Sequence, residues 1–312
     1  MKDLLKSLIQ AESTSAKGEL AAAMVIHKHL LNHTIKAELA SWDKTRANIV
    51  IHKKTKNERP ALLFACHLDV VPTGEGQWRH PPFLAVEEDG RIFGRGSADM
   101  KGSIAALITA VEQFTSGENE LKGDIIIAAV AGEETDSCGI KKFVSDYKDK
   151  LPALAGIIVA EPTGFEVITA HRGLLWLEIV TKGKTAHGSM PHLGVNAINS
   201  MRLFLDEFDK LDFSRQHKLL GGCSRSVNML SAGKAINVVP DLCSVKIDMR
   251  TLPEQSHEEV VEKVRSIFDK LKKTHPEFDA EVRIARGVEA LETDNECEFV
   301  KQFCSAVGCE KT

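Results

Sequence analysis

No stretch of this 312-residue chain approaches the run of about 20 apolar residues that a membrane-spanning helix needs. The N-terminus, MKDLLKSLIQAESTSAKGE, is an amphipathic helix pattern broken by charge, with no apolar core followed by a cleavage site. Neither sign of charge dominates: 40 Lys and Arg stand against 44 Asp and Glu, a net charge of −4 that gives no reason to expect nucleic acid or acidic membranes as partners. The seven cysteines are odd in number and include no C-x-x-C pair. Cys66 and Cys243 fall inside apolar strand patterns, where a thiol acts as a small hydrophobe. These absences lead to the expectation of a soluble protein of the reducing cytoplasm. Internal repeats and low-complexity segments are also missing. What remains is a globular composition, 43% hydrophobic and 27% charged, long enough to bury a substantial core.

The first 170 residues alternate helix and strand patterns. Helices are expected over 18–32, 101–114 and near 139–147, and strands over 48–52, 61–66, 125–130 and 156–160. Continuous apolar strands separated by helices imply a largely parallel sheet covered by helices, an α/β unit. Beyond residue 170 the order becomes strand 174–180, helix 195–211, strands 226–231 and 242–250, helix 257–272 and strand 281–285. Ser256 is placed to cap the second helix, with Glu258 and Glu259 in its first turn. This β-α-β-β-α-β order is ferredoxin-like. The tail reads as a helix beginning near Asp294, then a turn.

Chemistry concentrates where strands end. His67 and Asp69 follow the strand 61–66, and being two apart they share a face. A metal-bound imidazole usually passes its other N–H to a carboxylate, which suits Asp69, although this spacing leaves either role open. Taken alone the pair reads equally as a local cap. Gly94-Arg95-Gly96-Ser97-Ala98-Asp99-Met100-Lys101-Gly102 opens a helix and lets Asp99 project into a crevice. A phosphate cradle is the rival reading, but it needs glycine where Asp99 stands, and a carboxylate there repels phosphate. Glu133 and Glu134 follow the strand 125–130, and adjacent carboxylates repel unless cations or protons intervene. Glu161 follows the strand ending at 160. Open α/β sheets bind ligands at such strand ends, and one imidazole with several carboxylates suits zinc, cobalt or manganese.

The segments AC-His67-L-Asp69-VVP, GRGSA-Asp99-MKG, AG-Glu133-Glu134 and Glu161-PT resemble those of the dinuclear zinc amidohydrolases and peptidases. That family includes acetylornithine deacetylase, succinyl-diaminopimelate desuccinylase, aminoacylase and carboxypeptidase G. The resemblance runs from about residue 1 to residue 290, and it implies two Zn²⁺ per subunit, with Co²⁺ or Mn²⁺ as substitutes. It implies that His67 and Glu161 hold one ion, Glu134 the other, and Asp99 bridges them, with Asp69 orienting His67 and Glu133 as general base. It further implies a catalytic domain made of 1–170 and 287–312, and an inserted lid and dimerisation domain at 171–286. There His187 would stabilise the oxyanion in the partner subunit's active site, Asn237 would contact substrate, and Arg250 would bind its carboxylate. The alternative for Arg250 is a salt bridge with Asp248 or a neighbour. The expected activity is hydrolysis of the amide bond of an N-acyl amino acid or short peptide by a cytoplasmic homodimer.

Family members usually continue to a final histidine that completes the second metal's ligands, and no histidine follows His275 here. The expectation is therefore that the ion of His67, Asp99 and Glu161 is held better than that of Glu134. A non-catalytic dimer that binds metal or ligand without turnover is the alternative from another class. A nucleotide-binding protein built on the Gly94 loop is a third.

Overall fold

Strands that are apolar on both faces must be covered on both, and this requirement organises the first half of the chain. The structure is a computed structural model describing residues 1–312 apart from 32, 34, 57, 117–120 and 309–312. It divides into two compact units, Met1–Phe165 and Glu166–Thr312.

The first unit runs α1 (Lys2–Gln10), α2 (Leu20–Leu30), β1 (Lys36–Ser41), β2 (Ala47–Lys53), β3 (Ala61–His67), β4 (Val86–Glu88), β5 (Arg91–Phe93), α3 (Lys101–Ser116), β6 (Ile125–Val130), α4 (Cys138–Tyr147) and β7 (Leu154–Val159). Its sheet has the order β1-β2-β6-β3-β7. The strands β6, β3 and β7 pair in parallel, while β2 is antiparallel to both of its neighbours. Four of the five strands therefore point one way, the largely parallel sheet expected.

The central strands alternate between two cores. Ile49, Ile51, Ile127 and Ala129 face one built with Leu4 and Leu8 of α1, Ile26 and Leu30 of α2, and Ile104 and Ile108 of α3. Val50, Ile126, Ala128 and Val130 face another, closed by Phe143 of α4. Each such Leu, Ile or Phe contributes about 1.5–3 kcal/mol by leaving water. The edge strand β1 (KAELAS) carries too few apolar residues to stand out in the sequence, and it is largely solvent-facing. The hairpin β4–β5 also went unread, although Asp89 (φ 50°) and Gly90 (φ 74°) form the left-handed pair typical of an Asp-Gly turn.

The second unit contains β8 (Ala170–His171), β9 (Gly173–Lys182), α5 (Ala197–Phe208), β10 (Gln216–His217), β11 (Gly221–Gly222), β12 (Ser224–Ala232), β13 (Leu242–Thr251), α6 (His257–Thr274), β14 (Asp279–Val288), β15 (Leu291–Glu292) and α7 (Glu298–Val307). The order β12-β13-β9-β14 is antiparallel throughout. It is the ferredoxin-like arrangement. Alternate residues of β13 (Cys243, Val245, Ile247, Met249) are buried with Phe204 of α5 and Val264 of α6. Ser256 caps α6 by accepting from the Glu259 N–H at 3.2 Å, as its sequence predicts, and Asn196 caps α5 in the same way. Caps of this kind contribute about 1 kcal/mol each.

The described residues from 287 onward fall with this second unit by contact. The physical reason is pairing: β14 follows β9 as far as Val288, and β15 pairs with β8. The tail helix begins at Glu298, with the chain turning at Asp294, whose carboxylate accepts from the Glu296 N–H. The turn expected at the end of the tail extends into 309–312, outside the described residues.

Candidate metal centre

Parallel pairing brings three strand ends to one edge of the sheet. His67 is the last residue of β3 and lies in register with Val130, the last of β6. Glu133 and Glu134 follow β6, and Glu161 follows β7 two residues past its end. Asp99 precedes α3, and its peptide bond to Met100 is cis. Ligand atoms of His67, Asp99 and Glu161 lie within 4.8 Å of one another, as do those of His67, Glu133 and Glu134. All six residues of the proposed catalytic set thus belong to the first unit, with His67 common to both groups.

The imidazole of His67 is 2% exposed and fixed from behind. Its Nδ1 lies 2.9 Å from the main-chain oxygen of Asp69 and 3.6 Å from that residue's Oδ1. The nearer acceptor is therefore the main chain. Nε2 is left facing Asp99 Oδ1 at 3.0 Å and Glu161 Oε1 at 3.8 Å. The Asp69 carboxylate has a second task. Its Oδ1 accepts from the Glu133 N–H at 3.1 Å and its Oδ2 from the Glu134 N–H at 3.0 Å. One buried carboxylate thereby ties the strand end of His67 to the loop carrying both glutamates.

That loop turns at Gly132, whose φ of +73° is unfavourable for any residue with a Cβ. A Cβ there would also stand 2.5 Å from Asp136 Oδ1 and 2.6 Å from Arg46 Nη2. Asn48, inside the apolar β2, closes the base of the loop: its amide accepts from the Ala131 N–H at 3.0 Å and donates to Gly139 O at 2.8 Å. Sequence reading did not single out Asn48, and its only signal was an amide inside a buried strand. Met100 was missed as well, and its Sδ accepts from the His67 N–H at 3.0 Å.

The Gly94–Gly102 segment is packed against protein. The N–H groups of Arg95, Ser97 and Lys101 are spent on Pro82 O, Gly94 O and Gly96 O. A Cβ at Gly94 would meet Ile9 Cγ2 at 2.5 Å, and one at Gly102 would meet Ser97 O at 2.4 Å. These glycines serve close packing, and three of the N–H donors that a phosphate cradle could use are already engaged.

Electrostatics fits a cation. Burial, followed by the charges of Asp99, Glu133 and Glu134, pushes Glu161 up to about 6 against the pull of His67. Burial and the charges of Asp99 and Glu133 also raise Glu134. Burial opposes a charged His67, yet the Asp69 carboxylate 3.6 Å away, with Glu161 and Asp99, pushes it up to about 9. Burial would likewise raise Asp69, but His67 and the two loop N–H groups hold it below the usual carboxylate range. An excess of carboxylate around one imidazole is a donor set for a divalent cation, and such an ion relieves the repulsion that raises Glu161 and Glu134.

His187, Asn237 and Arg250 belong to the second unit. A bridge pairs His187 with Val238, and Gly188 N–H donates to Asn237 O at 2.7 Å, so His187 and Asn237 are neighbours. Nδ1 of His187 accepts from the Ser189 N–H at 3.2 Å, which leaves the other ring nitrogen to carry the proton of a neutral imidazole. Arg250 is not brought to them. It lies eight residues beyond Leu242 along β13, about 27 Å at the rise of a strand. Its guanidinium is engaged by Asp248 at 3.1 and 3.3 Å, the alternative considered for it, and remains exposed.

The model of the family described as Peptidase family M20/M25/M40 matches residues 63–307. A probable succinyl-diaminopimelate desuccinylase of Staphylococcus aureus (strain Mu50 / ATCC 700699) is 29% identical over 282 residues, covering 82% of this chain and 69% of the relative. A succinyl-diaminopimelate desuccinylase of Marinobacter nauticus is 33% identical over 221 residues, covering 69% of this chain and 59% of the relative. Among solved structures, aminopeptidase PepT from Bacillus cereus superposes with a TM-score of 0.79 at 19% identity, covering 100% of this chain and 84% of the other. A dinuclear metal binding peptidase from the M20 family of Bacillus subtilis gives a TM-score of 0.73 at 17% identity, covering 99% and 81%. At these identities the structural likenesses establish the fold. No helix among the described residues is long and apolar enough to cross a membrane.

Proposed function

Because the chain belongs to Peptidase family M20/M25/M40, whose members are metal-dependent hydrolases of amide bonds, we propose that it cleaves the amide of an N-acyl amino acid or short peptide using two zinc ions. In this reading His67, Asp99 and Glu161 would hold one ion and Glu134 the other, with Asp99 shared between them. The observation that carries it is the convergence of two ligand groups that share His67 at the carboxyl ends of parallel strands. The desuccinylase relatives and the aminopeptidase neighbour support a substrate of this class.

Bound divalent ions supply Lewis acidity at the scissile carbonyl and lower the pKa of the attacking water. The protein's part is positional and protonic. Asp69 holds the His67 ring with Nδ1 turned back and anchors the main chain of Glu133. Glu133 is the base: its carboxylate receives the proton of the attacking water and passes it to the departing amine. His187 of the lid donates to the developing oxyanion in the partner subunit's active site, and Asn237 contacts substrate. Arg250 binds the substrate carboxylate, which requires its guanidinium to leave Asp248 or to be shared with it. On this assignment the first unit is the catalytic domain, and the ferredoxin-like sheet is lid and dimer contact.

The test is a metal count beside an amidase assay over acetylated, succinylated and dipeptide substrates, with Zn²⁺, Co²⁺ and Mn²⁺ arms. Glu133→Ala should keep the bound metal and lose about 10²–10⁴-fold in kcat, the usual contribution of a general base. Wild-type turnover by Glu133→Ala would remove the base assignment. Metal binding and dimerisation without turnover on any substrate would favour the non-catalytic reading.

A further inference from the structure

Outside the candidate centre, two further groups among the described residues bring three ligand atoms within 4.8 Å of one another: His29, His33 and Glu112, and His217, Glu254 and Glu292. The second group is closed by its own hydrogen bonds. Nδ1 of His217 accepts from the N–H groups of Leu219 and Leu220 at 3.3 and 3.2 Å. Its Nε2 must then carry the ring proton, which it donates to Glu292 at 3.2 Å. An ion could reach Nε2 only by breaking that arrangement.

In the first group the corresponding bond, between His29 Nε2 and Glu112 at 2.7 Å, is the one an ion would replace, and a second imidazole faces the same oxygen. His29 lies in the last turn of α2, and His33 lies three residues past the end of that helix. Their rings stack with centroids 5.6 Å apart and planes 23° apart. Both Nε2 atoms converge on one oxygen of Glu112, an α3 residue, at 2.7 Å for His29 and 3.5 Å for His33. The supporting helices are fixed, because Ile26 and Leu30 of α2 and Ile108 and Val111 of α3 are buried in one core. Ligand atoms around a tetrahedral zinc stand about 3.3 Å apart when the bonds are about 2.0 Å long. The two histidine–Glu112 separations, 2.7 and 3.5 Å, lie on either side of that figure, and all three ligand atoms are within 4.8 Å of one another. The side chains remain 33%, 37% and 18% exposed, which gives an ion direct access from water.

We infer that His29, His33 and Glu112 form a separate site for a divalent transition ion of the zinc type, which ties the C-terminal end of α2 to α3. Two imidazoles and a carboxylate supply three ligands and leave a fourth position to water. A hydrogen-bonded pair with a neighbouring histidine is the competing account, and it predicts no ion.

The decisive measurement is Zn²⁺ stoichiometry by equilibrium dialysis on the full chain, comparing wild type with His29→Gln/His33→Gln and, separately, with Glu112→Gln. Each variant should bind one zinc ion fewer and show a smaller zinc-dependent rise in Tm, with hydrolytic turnover unchanged. The zinc-free unfolding midpoint reports whether each variant is folded, and the two independent variants guard against one failing to fold. An unchanged zinc count in both would overturn the site. A count that falls together with turnover would overturn its separateness from the strand-end acids. The readout does not depend on the hydrolase assignment, because the number of ions lost is decided even if no substrate is found.

Discussion

Replacing Asp69 by asparagine tests the tie between the imidazole and the glutamate loop. The substitution preserves volume but replaces one carboxylate oxygen with an NH₂ group. Asp69 is 2% exposed, and its two oxygens accept from the N–H groups of Glu133 and Glu134 at 3.1 and 3.0 Å. Whichever way the new amide turns, one of those N–H groups faces another donor. A hydrogen bond to a charged acceptor contributes about 1.5–3 kcal/mol, and a stranded buried donor costs about 1–3 kcal/mol. Because both N–H groups are only partly buried, the expected loss is about 2–4 kcal/mol. At a urea slope of about 2 kcal/mol/M this moves the unfolding midpoint of the metal-free protein down by about 1–2 M. Zinc affinity should fall by about 10–100-fold, the usual consequence of losing a partner that orients a ligand. Urea unfolding of the metal-free protein and a competitive zinc titration measure the two effects. An Asp69→Asn protein with wild-type midpoint, slope and zinc affinity would refute the claim that this carboxylate organises the centre.

Gly132→Ala forces a Cβ into a left-handed position, at about 1–2 kcal/mol, before its clash with Asp136 and Arg46 is counted. It should lower both the unfolding midpoint and metal affinity, because the displaced loop carries Glu133 and Glu134. Asp124→Asn should cost about 1–3 kcal/mol at neutral pH, since its carboxylate accepts from His52 at 2.7 Å and from the N–H and hydroxyl of Thr55. Burial opposes these bonds, but they hold Asp124 below the usual carboxylate range. Its contribution is therefore present above the unfolded pKa and lost as pH falls through the folded one. The difference between variant and wild-type urea midpoints should accordingly shrink below about pH 4. Phe204→Ala empties a fully buried position between Phe208 and Phe268, each with its ring centroid 5.6 Å away. It should destabilise the second unit by about 3–5 kcal/mol, read by urea unfolding of the full chain.

Periodicity alone was enough to read the principal helices and strands. Ile125–Val130 and Leu242–Thr251 are visible because an apolar run and an apolar-polar alternation survive in one dimension. Strands that pack little were not visible. Half of β1 is exposed and none of it is fully buried, and the two-residue strands β8, β10, β11 and β15 are defined only by their partners. Among the site residues, the strand-end acids stood out because carboxylates after apolar runs break a pattern. Asn48 did not stand out, because its role depends on a loop more than eighty residues away in sequence.

By itself the sequence determined which residues are candidates for the chemistry, because donor atoms and strand ends are local properties. It could not decide which atom does what. That His67 turns Nδ1 toward a main-chain oxygen follows from the backbone path at the end of β3. The commitment of the Asp69 carboxylate to the Glu133 and Glu134 N–H groups depends on parallel pairing of β3 with β6. The engagement of Arg250 by Asp248 rests on two side chains sharing a face of β13. Meeting of His29 and His33 with Glu112 required two helices to pack in one core. Each of these is a contact between groups that only folding brings within reach, and only the tertiary structure could decide it.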